Sequence, residues 1–297
     1  MMGFQQENEK YTALVNERLE THLSEASLLP RLSEIMRYSL FPGGKRLRPC
    51  MTLAVCGLFG GDAQAALPVA CALEMIHTYS LIHDDLPCMD DDDFRHSKPS
   101  SHKVFGEGLA VLAGDGLLSL AFEVMTDGLA QYGAQAPGYL NAISAVARGA
   151  GVYGMVAGQV MDLALEGAPL TGADALQAVH RNKTGAMLKA ALLSGAYIAG
   201  AKAHELQSIS AFAEHFGVLF QMTDDILDVT GSFKRMGKTI GKDERAMKLT
   251  YPALFGLENA QCMAKETAQA ALACLDGLGE NAGYLRRLTE FTLERNH

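Results

Sequence analysis

The sequence predicts an all-α protein, and three features of the chain support that fold class. Alanine and leucine recur at helical spacing along almost the whole length. Alternating Val/Ile/Thr patterns and Asn-Gly hairpin turns are missing. Clusters of Gly, Pro, Asp or Ser interrupt the helical pattern near Pro30 and at residues 41–44, 60–62, 87–99, 133–138, 167–172, 231–243 and 277–283. We therefore expect about ten helices of ordinary to long length.

The helices are expected to form one domain over residues 1–297. The chain is 48% hydrophobic, which is enough for a sizeable core. No Ser/Gly linker or change of composition marks a domain boundary. No internal repeat of the length that builds solenoids is present.

The charge distribution points to a cationic partner. Asp+Glu number 34 against 25 Lys+Arg, a net charge of −9. Nine aspartates in two short clusters account for the whole excess: Asp84, Asp85, Asp90, Asp91, Asp92, Asp93, Asp224, Asp225 and Asp228. A nucleic-acid binder would show a basic stripe instead, so we expect no nucleic-acid partner and favour a multivalent cation.

Cysteine usage and the N-terminal residues predict a cytoplasmic protein. The six cysteines form no C-x-x-C pair in a chain too large to need disulfides, which favours reduced thiols. Residues 1–10 are polar and acidic, unlike a signal peptide. The uncharged run Ala190–Ala201 is shorter than the roughly 20 residues of a membrane-spanning helix. We therefore expect no membrane span.

The first aspartate cluster ends a long apolar helix. That helix begins near Asp62, and Pro87 breaks it just after Asp84 and Asp85. Carboxylates at a helix C-terminus repel one another and the negative end of the helix dipole, so a bound cation would relieve them. A solvated acidic loop is the alternative for this cluster taken alone.

The second cluster favours the cation. Gln221, Asp224, Asp225 and Asp228 follow an i, i+3, i+4, i+7 spacing on a helix that is otherwise apolar. A carboxylate stripe on a core-like helix is costly unless it is neutralised. All-oxygen ligation by one or two carboxylates, completed by water and phosphate oxygens, is typical of Mg²⁺. Two facing clusters would hold a diphosphate through bridging metals.

Basic residues that could bind such a diphosphate lie in the predicted loops. Gly44, Lys45 and Arg48 open a helix after a Pro-Gly-Gly turn, where backbone N–H groups and a helix N-terminus add to the charge. A capping loop with solvated charges is an equally good interpretation of that segment. Further candidates are Arg95, Lys183, Lys238, Lys242 and Lys248, although any one alone fits a surface charge.

Several familiar motifs are excluded. The segment from Gly231 to Thr239 resembles a P-loop but has five spacer residues and follows a helical pattern. H-E-x-x-H, G-x-S-x-G and G-x-G-x-x-G are absent. A zinc protease, a serine hydrolase and a dinucleotide enzyme are correspondingly disfavoured.

Six ordered motifs together resemble the short-chain trans-polyprenyl diphosphate synthases, and within that family most of all the bacterial farnesyl diphosphate synthases. The resemblance runs from about Arg31 to the C-terminus. Its motifs are F-P-G-G-K-R-L-R-P at 41–49, D-D-L-P-C-M-D at 84–90, G-Q-V-M-D-L at 158–163, K-T-G-A at 183–186, F-Q-x-x-D-D-I-L-D at 220–228, and G-K-T through K-D to K-L-T-Y-P at 237–252.

The resemblance implies an isoprenoid synthase fold, a helical bundle around a central catalytic cavity. It implies two or three Mg²⁺ ions held by Asp84, Asp85, Asp90, Asp224, Asp225 and Asp228. It implies an allylic diphosphate bound by Arg95, Lys183 and Lys238, and isopentenyl diphosphate bound by Gly44, Lys45, Arg48 and His77. Lys183, Thr184 and Gln221 would face the developing allylic cation, while Gln159 and Asp162 would support the cavity wall. A homodimer is also implied.

The implied reaction is head-to-tail condensation of isopentenyl diphosphate with dimethylallyl or geranyl diphosphate to give farnesyl diphosphate. Tyr79 and Ser80, just before the first aspartates, would set the product length. The family motif usually reads Arg-Arg-Gly where this chain has Arg95, His96 and Ser97, so His96 stands at an isopentenyl diphosphate contact. Geranyl or geranylgeranyl diphosphate as product, and a non-catalytic subunit of a heteromeric synthase, remain the alternatives.

Overall fold

The computed structural model describes residues 3–24, 28–165, 172–230 and 250–294, and these residues are almost entirely helical. The first half of the chain contains α1 (Phe4–Leu23), α2 (Pro30–Leu40), α3 (Leu47–Leu58), α4 (Ala63–Asp84), β1 (Phe94–Arg95), β2 (Lys98–Pro99), α5 (Ser101–Phe105) and α6 (Glu107–Tyr132). The second half contains α7 (Tyr139–Ala150), α8 (Met155–Leu165), α9 (Ala173–His180), α10 (Ala186–Ile198), α11 (Ala203–Thr230), α12 (Tyr251–Phe255), α13 (Leu257–Ala273) and α14 (Gly283–Glu294).

The predicted all-α class is confirmed, and the predicted breaks that fall in the described residues lie between α-helices or at the edge of one. The sequence did not indicate the breaks near Gly106, at 151–154 and at 199–202. Gly106 ends α5 and begins α6 with a φ of +87°, a conformation that favours glycine. A short π-helical turn, Arg181–Gly185, joins α9 to α10 and was also unpredicted.

Helix α4 is the central element of the bundle. The Asp62 side chain caps its N-terminus by accepting a hydrogen bond from the Gln64 N–H at 2.9 Å. Its residues are apolar on every side, because α3, α6 and α10 pack around it along with parts of α1 and α2. The helix ends at Asp84, three residues before Pro87. The first aspartates therefore lie at one end of the core.

Two helices are long and apolar enough to cross a membrane by length and composition alone. In α4, 83% of the most apolar stretch is buried inside the fold, as in the core helix of a soluble protein. In α6 the buried share is 39%, and Leu109, Val111 and Leu112 are exposed on its outer surface. The absence of a membrane span, expected from the shorter run Ala190–Ala201, thus stays a prediction.

The loop after α4 contains a small hairpin. Strands β1 and β2 pair antiparallel, with Phe94 opposite Pro99 and Arg95 opposite Lys98. The two turn residues, His96 and Ser97, have φ values of +51° and +62°. Two-residue hairpin turns with positive φ at both positions normally use Asn and Gly, so this turn is strained.

The chain termini meet on one side of the bundle. Helix α1 packs against α3, α4 and α14, and α14 packs against α11, α13 and α3. Phe4 contacts Tyr284 and Phe291 with ring centroids 5.5 and 4.7 Å away. Both terminal helices thereby lie next to the turn that opens α3.

Candidate active site

The first aspartate motif forms a compact loop at the end of α4. The Asp90 N–H donates to the Asp84 carbonyl oxygen at 2.8 Å, and the Asp92 N–H donates to the Asp85 carbonyl oxygen at 3.2 Å. These bonds fold the loop back over the helix end. The backbone of the motif thus returns to the end of α4, and the metal-binding role of its carboxylates stays a prediction.

Asp85 and Arg95 form a bidentate pair inside this loop. Arg95 Nε donates to both carboxylate oxygens of Asp85, at 3.1 and 3.3 Å, and its Nη2 also contacts Asp85. Asp92 lies 3.5 Å from the same guanidinium. Asp85 is 2% exposed, so the structure uses it chiefly to hold Arg95.

Asp84 has a different environment. The Gln159 amide of α8 donates to its carboxylate. Loss of hydration, together with the negative charges of Asp90 and Asp85, raises the pKa of Asp84 from 3.8 to about 6, although Lys183 and Arg95 oppose the shift. A half-buried carboxylate with this penalty gains strongly from a cation.

Lys183 lies between the first aspartate motif and Asp162 of α8. Its Nζ donates to Asp162 Oδ2 at 2.6 Å, and its charge acts on Asp84. Lys183 and Thr184 lie on the π turn 181–185, a distortion that often occurs at functional sites. Gly158 of α8 makes this possible, since a Cβ there would sit 2.1 Å from the Lys183 backbone nitrogen.

The second aspartate motif lies on the C-terminal half of α11. Gln221 Nε2 donates to Asp224 Oδ2 at 3.4 Å. Asp225 instead accepts the Tyr251 N–H at 2.9 Å and lies 3.9 Å from His180 Nε2. Asp225 and Asp228 are 7% and 8% exposed. Asp225 therefore anchors the start of α12, a role that the sequence did not reveal.

His180 is a site residue that the sequence analysis missed. It is buried between Asp225 and the Tyr251 ring, whose centroid is 5.6 Å away. Burial lowers the pKa of His180 to about 4, although Asp162 and Asp224 act in the opposite direction. A neutral imidazole therefore lies beside the second aspartate motif. The sequence signal that could have indicated His180 is its position three residues before Lys183.

The basic turn before α3 is built from left-handed residues. Gly43 and Gly44 have φ values of +73° and +93°, and Arg46 has +48°. A Cβ at Gly43 would lie 3.6 Å from that of His96, so the turn packs against the hairpin. Lys45 is exposed, with its ammonium 4.8 Å from the centre of the Phe291 ring.

Arg48 and His77 lie side by side in the same region. Burial lowers the pKa of Arg48, with Glu74 and Asp224 opposing the shift. Burial lowers the pKa of His77 well below 6.5, and the charges of Arg48 and His96 lower it further. Arg48 Nε is buried with no hydrogen-bond partner among the described residues. A guanidinium whose Nε is buried without a partner, near a neutral imidazole, suits an anionic ligand.

Arg46 has a structural role that its sequence motif concealed. Its guanidinium forms a buried ion pair with Glu74, at 2.7 Å and with both side chains 5% exposed. Its Nε also donates to Asn16 Oδ1 at 3.1 Å. The three neighbouring cations therefore differ in role. Lys45 lies at the surface, Arg46 pairs with Glu74 inside the fold, and Arg48 has a buried Nε without a partner among the described residues.

His96 lies at the hairpin turn beside Gly43. Loss of hydration there, followed by the charges of Arg95 and Arg46, lowers the pKa of His96 below 6.5. The imidazole is consequently neutral at pH 7 unless an anion binds next to it.

Tyr79 and Ser80 lie on α4, about one helical turn before Asp84. Tyr79 is 8% exposed and contacts His83 edge-on at 5.6 Å. Burial and then Asp84 raise the pKa of Tyr79, so its hydroxyl lies within electrostatic reach of the first aspartate. Ser80 Oγ donates to the His77 carbonyl oxygen at 2.8 Å.

The donor set fits Mg²⁺ bound together with a ligand. Among residues 3–24, 28–165, 172–230 and 250–294, no three His, Cys, Asp or Glu side chains are close enough to hold a metal alone. Mg²⁺ takes one or two carboxylates and keeps water or phosphate oxygens in its other positions. Asp84 on α4 and Asp224 on α11 are suited to such partial ligation. Lys238, Lys242 and Lys248, and the P-loop-like segment, lie outside the described residues.

Comparison with known proteins agrees with this geometry. The polyprenyl synthetase family model matches residues 29–277, and the chain belongs to that family. It is 47% identical over 260 residues to the heterodimeric geranylgeranyl pyrophosphate synthase large subunit 1 of Arabidopsis thaliana, covering 87% of this chain and 70% of that one.

Two solved structures share the whole fold. A geranyltransferase from Legionella pneumophila has a TM-score of 0.87 at 32% identity, covering 99% of this chain and 97% of that one. A geranyltransferase from Helicobacter pylori, complexed with magnesium and isoprenyl diphosphate, has a TM-score of 0.81 at 32% identity, covering 96% of each. The isoprenoid synthase fold predicted from the motifs is confirmed, as is the family's prenyltransferase chemistry.

Proposed function

We propose that this protein is a Mg²⁺-dependent prenyltransferase that condenses isopentenyl diphosphate with dimethylallyl and geranyl diphosphate to give farnesyl diphosphate. One observation carries the proposal. Asp84 lies within electrostatic reach of Lys183, and Arg48 lies within electrostatic reach of both Asp224 and His77. One region thus offers sites for two diphosphates.

The allylic diphosphate would bind on the aspartate side. When bound, Mg²⁺ ions, two or three in the proposed site, supply the charge that stabilises diphosphate as a leaving group. Asp84, Asp90 and Asp224 would hold the metal, with Asp85 and Asp228 supporting them. Lys183 is fixed 2.6 Å from Asp162, so its ammonium is preorganised near the leaving group. Gln221 and Thr184 would face the allylic cation.

Isopentenyl diphosphate would bind on the basic side. Arg48 supplies a buried guanidinium, and Lys45 and the Gly44 turn approach from the surface. His77 is neutral and can donate one hydrogen bond to phosphate. With both substrates held, the double bond of isopentenyl diphosphate would have to meet the allylic carbon where water is excluded.

Tyr79 supports farnesyl diphosphate as the product. It lies five residues before Asp84, roughly 7 to 8 Å along the helix axis, the order of one to two isoprene units. Its buried ring would close the floor of the chain pocket. The similarity to a geranylgeranyl pyrophosphate synthase subunit of Arabidopsis thaliana favours a second candidate product, geranylgeranyl diphosphate.

Product analysis separates these candidates. Purified protein incubated with isopentenyl diphosphate, each allylic diphosphate and Mg²⁺ should yield C15 chains. Tyr79→Ala should extend them to C20 or longer, because removing the ring opens the floor, whereas Tyr79→Phe should keep C15. A wild-type C20 product would assign geranylgeranyl diphosphate instead, and no product without an added partner chain would favour the subunit role.

The aspartates provide the test of mechanism. Asp84→Ala and Asp224→Ala should each lower turnover by several orders of magnitude while the protein stays folded. Asp127→Ala, on the exposed surface of α6, is the matched control and should leave turnover unchanged. Near-normal turnover of either site variant at saturating Mg²⁺ would refute the proposed mechanism.

Assembly and location complete the proposal. We propose a homodimer, because α6 and α8 each expose apolar residues, including Leu112, Val156 and Val160. Light scattering after gel filtration tests the dimer.

A cytoplasmic location is supported by the six cysteines, all of which are free thiols. Burial raises the pKa of Cys50 and Cys56 to about 12.

A further inference from the structure

The terminal helices α1 and α14 contact the basic turn that opens α3. Both lie outside residues 29–277, the part of the chain that the family model matches. Their contacts with the turn involve the residue proposed to bind diphosphate at its surface, Lys45. The turn and the chain termini are therefore one structural unit.

Helix α1 holds the turn's backbone and one of its cations. Asn8 Nδ2 donates to the Lys45 carbonyl oxygen at 2.9 Å, and the Tyr284 hydroxyl of α14 donates to Asn8 Oδ1 at 2.8 Å. Two turns further along α1, Asn16 accepts from Arg46. Because Gly43, Gly44 and Arg46 have positive φ, these anchors help to fix a conformation that the segment would not hold alone.

Helix α14 holds the Lys45 side chain. The ammonium lies 4.8 Å from the centre of the half-buried Phe291 ring, within the range of a cation–π contact. Phe4 of α1 packs on the same ring at 4.7 Å. The ring therefore covers one side of the ammonium and restricts the side chain that carries it.

We infer that Phe291 is a positioning residue for isopentenyl diphosphate, acting through the ammonium of Lys45. This inference rests on the proposed function of Lys45. Lysine loses considerable side-chain freedom on binding a ligand, and a ring that already restricts its four-carbon stem reduces that loss. Phe291 should therefore strengthen homoallylic binding and leave the allylic site alone.

Calorimetric titration with isopentenyl diphosphate alone tests the inference, because no condensation occurs without an allylic partner. Phe291→Leu, which keeps an apolar side chain and removes the π face, should weaken the dissociation constant about two- to fivefold, the scale of an exposed cation–π contact. Phe291→Tyr keeps the π face and should bind like wild type. Melting temperatures of both variants check that α14 remains docked.

A double-mutant cycle shows whether the effect passes through Lys45. In a Lys45→Ala background, Phe291→Leu should cause no further loss. Steady-state kinetics should show a higher KM for isopentenyl diphosphate, with kcat and the allylic KM unchanged. An unchanged or tighter dissociation constant for Phe291→Leu, or an equal loss in both backgrounds, would overturn the inference. Product formation by the wild-type protein tests the proposed function separately. If Lys45→Ala binds isopentenyl diphosphate as tightly as wild type, Lys45 does not bind that ligand and the inference about Phe291 fails with it.

Discussion

Gly158→Ala should lower turnover strongly by moving α8 away from the π turn. The Cβ added at this position would sit 2.1 Å from the backbone nitrogen of Lys183 and 2.4 Å from its Cα. Both atoms belong to the backbone of the π turn, so no rotamer change can relieve the clash. Ordinary van der Waals contact requires α8 and the turn to separate by roughly 1 Å or more.

The expected magnitude follows from what this interface holds. Gln159, the next residue, binds Asp84, and Lys183 binds Asp162 at 2.6 Å. Misplacement of positioning groups by about 1 Å can cost on the order of 100-fold in rate. We therefore expect kcat to fall about 100-fold. Overpacking of this kind destabilises a protein by about 1–3 kcal/mol, which should leave most of it folded at 25 °C.

The assay compares kcat with geranyl and isopentenyl diphosphates against the fraction folded from circular dichroism. Gly57→Ala in α3 is the matched control, since a Cβ there meets nothing within 4 Å. It should leave kcat unchanged and stabilise the helix by up to about 1 kcal/mol. A folded Gly158→Ala enzyme with normal kcat would show that close packing of α8 on the π turn does not position the site.

Three further predictions concern the loop after α4. Ser97→Gly should stabilise the protein by roughly 1 kcal/mol in denaturant titrations, because glycine adopts the turn's positive φ without strain; an unchanged midpoint would argue against strain. His96→Arg should lower the KM for isopentenyl diphosphate about tenfold and spare the allylic KM, as a charge-assisted hydrogen bond is worth roughly 1.5–3 kcal/mol; equal KM values would make the substitution neutral. In metal-free protein, the raised pKa of Asp84 makes the native state less stable as pH rises from about 4 to about 6. Asp84→Asn should therefore raise Tm at pH 7 and have no such effect below pH 4. A Tm difference that is independent of pH would contradict the raised pKa of Asp84.

The sequence predicted the parts of the site that depend on local order. Pro87 and the apolar run before it determine where α4 ends, and the spacing of Gln221 to Asp228 determines a helical stripe. Both signals act within a few residues, so a single sequence contains them. The fold class followed for the same reason, since helical periodicity is local.

The remaining features depend on contacts between distant residues. Gln159 and Asp84 are 75 residues apart, and Arg46 finds Glu74 only when α3 packs on α4. Nothing in the spacing of three neighbouring cations shows which of them will be buried. The π turn and the strained hairpin were missed because tertiary packing overrides local propensity there.

Helical geometry explains why the members of each Asp-Asp pair have different roles. Successive residues on an α-helix point about 100° apart, so two adjacent carboxylates start in different directions. In the first pair Asp85 turns to the Arg95 guanidinium, while Asp84 accepts from the Gln159 amide and keeps a raised pKa. In the second pair Asp225 turns to the Tyr251 N–H, while Asp224 accepts from the amide of Gln221. One carboxylate of each pair therefore holds a neighbouring element of the scaffold, and in the first pair the raised pKa of Asp84 gives the other carboxylate a strong electrostatic gain from a cation.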